Sequence, residues 1–290
     1  MSPTFAAIQV LNGVSLGMLL FLLASGLALI TGMMGIVNLA QGSYYLLGAF
    51  SGLFVIKRVT DNFVLAVVVG ALVGALLGVI MQRFFLHRFY KNDLAQVLLT
   101  FGFLFMFQDL GYWVFGDIAR TPTVLAAPGP LAAPIRLFGI TYPSYRLFLI
   151  GVGLVIALGL YLLIERTRIG AIIRAGVDDA EMLRALGVNV PLLFTLVFAL
   201  GAGLAGMGGV IGAPFIGVYP GADLNVLLLA FVVLIVGGLG SLKGAFIGSL
   251  LIGLLDTFGR ALFPELSQFT IFAPMALILA IKPTGLFGRA

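Results

Sequence analysis

The chain alternates long apolar runs with short polar intervals, and the lengths of the runs predict membrane-crossing helices. A spanning helix needs about 20 mostly apolar residues. Runs of that kind read as roughly Ile8–Thr31, Ser43–Ile56, Phe63–Gln82, Leu94–Phe115, Tyr145–Ile164, Leu192–Ile216, Asn225–Val236, Lys243–Leu262 and Phe269–Ile281. After the first run comes GMMGIVNLAQG, apolar but interrupted by Gly32, Gly35, Asn38, Gln41 and Gly42. The stretch Gly32–Phe50 therefore reads as a crossing, a broken helix or a re-entrant piece, and the expected count is eight or nine crossings. The fold class this predicts is all-α: a polytopic integral membrane helical bundle, one domain over residues 1–290, with a short cytoplasmic docking helix. Gly116–Ser144 holds Pro122, Pro128, Pro130, Pro134 and Pro143, which predicts an irregular or only briefly helical loop.

The longest polar interval is Glu165–Pro191, ERTRIGAIIRAGVDDAEMLRALGVNVP. A short helix is written into it. Asp178 reads as its N-cap, and Glu181 three residues on completes a capping-box spacing. Asp179 and Glu181 put negative charge at the positive end of the helix dipole, with Arg184 nearer the other end. Gly187 follows as a residue able to take positive φ, and Pro191 suits the first turn of the next helix. Met182, Ala185 and Leu186, spaced i, i+3, i+4, make one small apolar face. Such a helix is either a connector lying on the bilayer surface or a docking helix for a soluble partner.

Composition narrows the class. The chain is 61% hydrophobic and 9% charged, with mean hydropathy +1.20, so no interval is polar enough for a soluble domain. The net charge of +5 is no nucleic-acid signal, because the basic residues cluster in particular loops, which orients a membrane protein. Arg83, Arg88 and Lys91 mark one cytoplasmic loop, and Arg166, Arg168, Arg174 and Arg184 mark another. Alternation then puts Gly237–Lys243 and the tail after Lys282 inside, and nine crossings put the N-terminus outside; Lys57 and Arg58 run mildly against the rule. Met1–Asn12 has no Lys or Arg, so no cleavable signal peptide is expected.

No catalytic or metal constellation is visible. There is no cysteine, and His87, the single histidine, sits among loop cations. No G-x-x-x-x-G-K-[ST] loop occurs, so the chain has no phosphate loop of its own for ATP. Small residues at four-residue spacing, Gly70/Gly74/Gly78, Ala205/Gly209, Gly208/Gly212 and Gly244/Gly248, let helices approach closely, either within one subunit or between subunits. Polar residues inside spans are costly and often functional. Asn38 and Gln41, in the interrupted segment, are candidates for a translocation pathway. Gln108 and Asp109 lie in the fourth run, and Asp256 and Arg260, at i, i+4, either pair with each other or serve a pathway. No acid–base pair is obviously placed to bind a zwitterion.

Several stretches in order resemble one family, the branched-chain amino acid permeases of bacterial ABC importers. GLALITGMMGIVNLAQGSYYLLGAF is similar to its N-terminal signature, RTRIGAIIRAGVDDAEMLRALGVN to its ATPase-docking loop, and LIVGGLGSLKGAFIGSLLIG and IKPTGLFGR to its C-terminal pattern. The likeness covers nearly the whole chain, and its length and VNLAQG wording resemble the shorter, H-type subunit. The resemblance implies a multi-pass protein of the bacterial inner membrane that is no enzyme itself. A second homologous permease, two ABC ATPase subunits that bind the ATP, and a periplasmic substrate-binding protein would be its partners. It also implies that docking falls on Arg174, Gly176, Asp178, Asp179, Glu181, Met182, Ala185, Leu186 and Gly187. Related permeases serve urea, short amides and other amino acids. An ion-coupled secondary transporter, or a membrane scaffold subunit, is the competing reading from the residues alone.

Overall fold

The computed structural model describes residues 3–89, 92–120, 122–123, 125–137, 140–266 and 269–288. Lys91, one of the expected cytoplasmic markers, lies outside them, as does the side chain of Asp178. Twelve α-helices occur among the described residues. In order they are α1 Pro3–Met34, α2 Gln41–Arg58, α3 Phe63–Ile80, α4 Asp93–Phe115, α5 Asp117–Arg120, α6 Ser144–Arg166, α7 Arg168–Asp178, α8 Ala180–Ala185, α9 Val190–Ile216, α10 Ala222–Gly237, α11 Leu242–Leu262 and α12 Phe269–Ile281. Helix α3 runs on into a π-helical turn, Met81–Phe85, and a 3-10 turn, Leu86–Phe89.

Each apolar run became a helix, but not each is a full span. Among the described residues, six helical stretches are long and apolar enough to cross a membrane: α1, α3 with its extension to Phe89, α4, α6, α9 and α11. Helix α2 is less apolar, ending on Lys57 and Arg58, and α10 and α12 are shorter. The count of eight or nine full spans is thus not reached on length and composition alone.

The packing follows the rule for lipid, where apolar surface gains little by leaving the solvent and close backbone approach matters instead. On α3 the small residues Ala66, Gly70, Gly74 and Gly78 are buried, while Val64, Val68, Leu72 and Leu76, at i, i+4, i+8, i+12, are exposed. The buried stripe lies on α9, which is itself wedged against α2. A β-carbon added at Gly206 would overlap the Gly70 carbonyl, and one at Gly209 the Tyr45 carbonyl. Gly244 and Gly248 meet Gly237 and Val233 of α10 in the same way. These stripes serve contacts within one subunit. Helix α1 is sheathed by its neighbours, with every residue from Gly17 to Thr31 buried, as a helix apolar on all sides requires.

The interrupted segment is a true break. Helix α1 stops at Met34, Gly35 takes φ 69°, and α2 opens at Gln41. The loop Gly116–Ser144 contains α5 and, beyond what was expected, a two-stranded antiparallel hairpin, β1 Pro134–Leu137 with β2 Ile140–Pro143, in register from Pro134↔Pro143 to Leu137↔Ile140. Pro134 and Pro143 face each other at the open end of the ladder, where no N–H is needed, which reconciles them with a strand pair. Farther back, Thr123 and Val218 exchange backbone hydrogen bonds of 2.8 and 2.7 Å, pinning this loop to the turn between α9 and α10. At the other extreme of the chain, the N–H groups of Leu286 and Phe287 donate to the carbonyls of Val236 and Gly237, at 3.0 and 2.9 Å, and so cap α10.

Candidate functional site

The polar interval folds as two helices rather than one. Ile173 and Gly176 of α7 turn inward, and the Thr167 hydroxyl caps α7 by accepting from the Gly170 N–H at 3.0 Å. Helix α8 is the expected short helix, with one correction. Its N-cap is Asp179, not Asp178: the Asp179 carboxylate accepts from the N–H groups of Glu181 and Met182, both at 2.9 Å. The reason is that Ile172, Ile173 and Gly176 carry the helical path of α7 through Asp178, so the chain first becomes extended at Asp179, φ −155°. Glu181 then stands one place too early to close a capping box. At the far end Gly187 takes φ 85°, and the N–H groups of Gly187 and Val188 donate to Arg184 and Leu183, the paired bonds of a Schellman motif.

These ends fix which face of α8 looks out. Leu183, 6% exposed, is buried with Met33, Ile173 and Leu193. Met182 and Leu186, 60% and 74% exposed, lie open together with Ala185 and Glu181. The sequence reading found the open face and missed the anchor. Asp179→Ala removes the acceptor for two N–H groups and is expected to weaken α8 by about 1 kcal/mol, seen as faster amide exchange at Glu181 and Met182.

Arg174, expected among the docking residues, is turned back on α6. Its Nη1 donates to the Ile164 carbonyl and lies 3.6 Å from Glu165 Oε2. Lys243 Nζ reaches the other oxygen of Glu165 at 3.9 Å. Each ion pair is exposed enough to contribute little alone, but together they join the end of α6 to α7 and to the start of α11. Gly176 is buried, and a methyl there would meet Leu183, Met33 and Leu193 at ordinary contact, 3.4–3.5 Å. Glu165, Arg174 and Lys243 border a cavity of about 430 Å³, walled also by Thr31, Tyr161 and Phe287.

A larger cavity, about 950 Å³, opens at the opposite end of the same helices. Helix α1 gives Gln9, Asn12, Leu16 and Leu20 to it and Ala28, Leu29, Thr31, Gly32 and Met33 to the smaller one. Helix α6 likewise gives Arg146 to one and Tyr161, Ile164 and Glu165 to the other; α11 gives Ile252, Asp256 and Arg260 to one and Lys243 to the other. Between the cavities lies an apolar layer in which Phe21 meets Phe246 edge-on, centroids 5.3 Å apart. Asp256 and Arg260 do pair, Oδ1 to Nε at 2.8 Å. Asn12 Oδ1 accepts from Tyr142 of β2 at 2.9 Å and from Arg146. Burial raises the Tyr142 phenol above its usual range, so it remains a donor. Arg146 also stands over the Phe215 ring, 5.2 Å from its centroid.

Asn38 and Gln41 are both buried and line neither cavity. Asn38 Oδ1 accepts from the Ala40 N–H, Asn38 donates to Gln41 Oε1 at 3.4 Å, and Gln41 Nε2 donates to the Gly201 carbonyl at 3.0 Å. Asn38 thus satisfies a backbone N–H freed by the break, and Gln41 ties the start of α2 to the middle of α9. Arg146, Asn12 and Tyr219, which line the larger cavity, carry no distinctive signal in the sequence, and Asp223, buried in the first turn of α10, precedes the apolar run that starts at Asn225.

Residues 9–279 match the family model described as branched-chain amino acid transport system / permease component. The chain is 26% identical over 293 residues to the high-affinity branched-chain amino acid transport system permease protein BraD of Pseudomonas aeruginosa, covering 97% of this chain and 95% of that one. It is 27% identical over 299 residues to the corresponding permease protein LivH of Escherichia coli, with the same coverage, and 27% identical over 249 residues to a probable branched-chain amino acid transport permease protein of Methanocaldococcus jannaschii, covering 82% and 76%. No solved structure matches the chain significantly.

Proposed function

The chain belongs to the branched-chain amino acid transport system / permease component family, and from that premise we propose that it is the membrane permease subunit of an ATP-driven importer for branched-chain amino acids. A periplasmic binding protein delivers the substrate, and a second homologous permease and two ABC ATPases complete the complex. The observation that supports this reading is the open apolar face of α8, held rigid by a buried Leu183 and by caps at both ends. An exposed Met182–Leu186 patch on a polar loop is surface suited to a cleft in a soluble protein.

In this reading α7 and α8 face the cytoplasm, where Arg83, Arg88, Arg166, Arg168 and Lys243 also gather, and the larger cavity faces the periplasm. Nucleotide binding draws the ATPases together and displaces α8. Glu165, ion-paired with Arg174 and Lys243, helps pass that displacement to α6 and α11, whose far ends line the larger cavity. Asn38 and Gln41 take part by holding the break between α1 and α2 beside the moving helices.

Reconstitution tests it. Liposomes holding the two permeases and the ATPases are expected to take up L-leucine only with ATP and binding protein present. The chain alone is expected to pass none. Flux of leucine through the chain alone, driven by an ion gradient, sinks the importer reading in favour of a secondary transporter.

A further inference from the structure

We propose that the larger cavity is an amino-acid site that holds a zwitterion by its two charged ends: Arg146 and Arg260 take the carboxylate, and Asp256 takes the ammonium group. The inference rests on the amino-acid reading above and specifies where in this chain the substrate is recognised.

Arg146 carries the argument. It is half-buried on the wall of the cavity, and its partners there are neutral: the amide oxygen Asn12 Oδ1, the Tyr142 hydroxyl and the aromatic face of Phe215. No carboxylate lies within ion-pair distance of it among the described residues. A guanidinium steadied by neutral partners keeps its positive charge for a ligand, and its planar fork suits a carboxylate. Asp256 lines the same cavity from α11 and is 5% exposed. Its bond to Arg260 uses Oδ1 and Nε, leaving Oδ2 and the terminal nitrogens of Arg260 to meet a second acid–base pair. A zwitterion is such a pair. Below the charges the wall is apolar, formed by Leu16, Leu20, Val226, Leu229 and Ile252, which a branched side chain can contact.

The size of the cavity, about 950 Å³, is at the top of the range for small-molecule sites and leaves water around the ligand. Binding is therefore weak, as a site of passage requires. Urea and simple amides carry no charges for Arg146 and Asp256 to meet, so the site favours amino acids over them.

The test uses the full chain in lipid nanodiscs and saturation-transfer NMR with three probes: L-leucine, 4-methylpentanoate and 3-methylbutylamine. Leucine is expected to bind about tenfold more tightly than either half-ligand. Arg146→Met is expected to weaken leucine and the acid about tenfold and leave the amine unchanged. Asp256→Asn is expected to weaken leucine and the amine and spare the acid. A merely structural role would move all three probes together or reduce the amount of folded protein, and that result overturns the site. So does leucine binding that is absent in the unmodified chain or unchanged in both variants. Should Arg146→Met not fold, Arg146→Gln, which also removes the charge, carries the same comparison. If the unmodified chain prefers a different amino acid with the same dependence on Arg146, the branched-chain reading falls and the site stands. If the complex imports leucine with ATP while no probe senses Arg146 or Asp256, the importer reading stands and the site falls.

Discussion

Leu186→Asp, combined with Met182→Asp, is expected to leave the chain folded and inserted while abolishing its hold on the ATPase. Both side chains are open, so the folded chain loses almost no packing when they change, and its stability is expected to move by about 0.5 kcal/mol or less. At a docking surface the same two positions are apolar anchors. Burying a carboxylate against a partner's cleft leaves it desolvated and unpaired, and loss of a central anchor weakens association by roughly 2 kcal/mol or more, about thirtyfold. Co-purification of the ATPase in mild detergent and ATP-driven uptake are the two measurements. Leu183→Asp is the contrasting variant: it strikes the buried anchor and is expected to lower the yield of folded protein. If the double variant keeps both the ATPase and uptake, α8 is not the docking element.

The second large effect lies in the seam between α2, α3 and α9. Gly209→Val is expected to prevent recovery of a monodisperse chain from detergent. A β-carbon at Gly209 would overlap the Tyr45 carbonyl and crowd the Ala49 backbone nitrogen, and neither backbone group can rotate aside. The helices must part, and overpacking of this kind costs about 1–3 kcal/mol or more. Gly102→Ala on α4, where no atom lies within 4 Å of the added methyl, is expected to fold as well as the parent. Thermal unfolding followed by fluorescence-detected gel filtration separates the two; equal melting of both variants contradicts the seam.

The elements of this fold were legible because lipid makes a simple demand on sequence: an uninterrupted apolar run of sufficient length. The paired small residues on α3 and α9 were legible for a related reason, since only they permit carbonyl-to-backbone contact. The boundary of α8 was misread by one residue. Two adjacent aspartates can each cap a helix, and the choice fell to the apolar face of α7, which draws Asp178 into its last turn. The hairpin was hidden because prolines usually argue against strands, and here two of them face each other at the ladder's one open end. Arg174 reads as a solvent-facing cation in sequence; that it folds back onto the carbonyls ending α6 depends on the angle between two helices. Least legible was the larger cavity. Asn12, Arg146 and Asp256 lie on three helices far apart in the chain, and only the crossing of α1, α6 and α11 gathers them.

The shortness of α12 has a consequence for the surrounding lipid. Helix α11 is long and apolar enough to cross a membrane in its 21 residues, whereas α12 has only 13 before the tail reaches the end of α10. Thirteen helical residues measure about 20 Å, well under the roughly 30 Å of an average hydrocarbon layer. Along that edge the acyl chains must shorten or tilt, and headgroups with their water come closer to the midplane. A bilayer around the protein is therefore expected to be thinnest beside α12, the helix that adjoins α10 and α11.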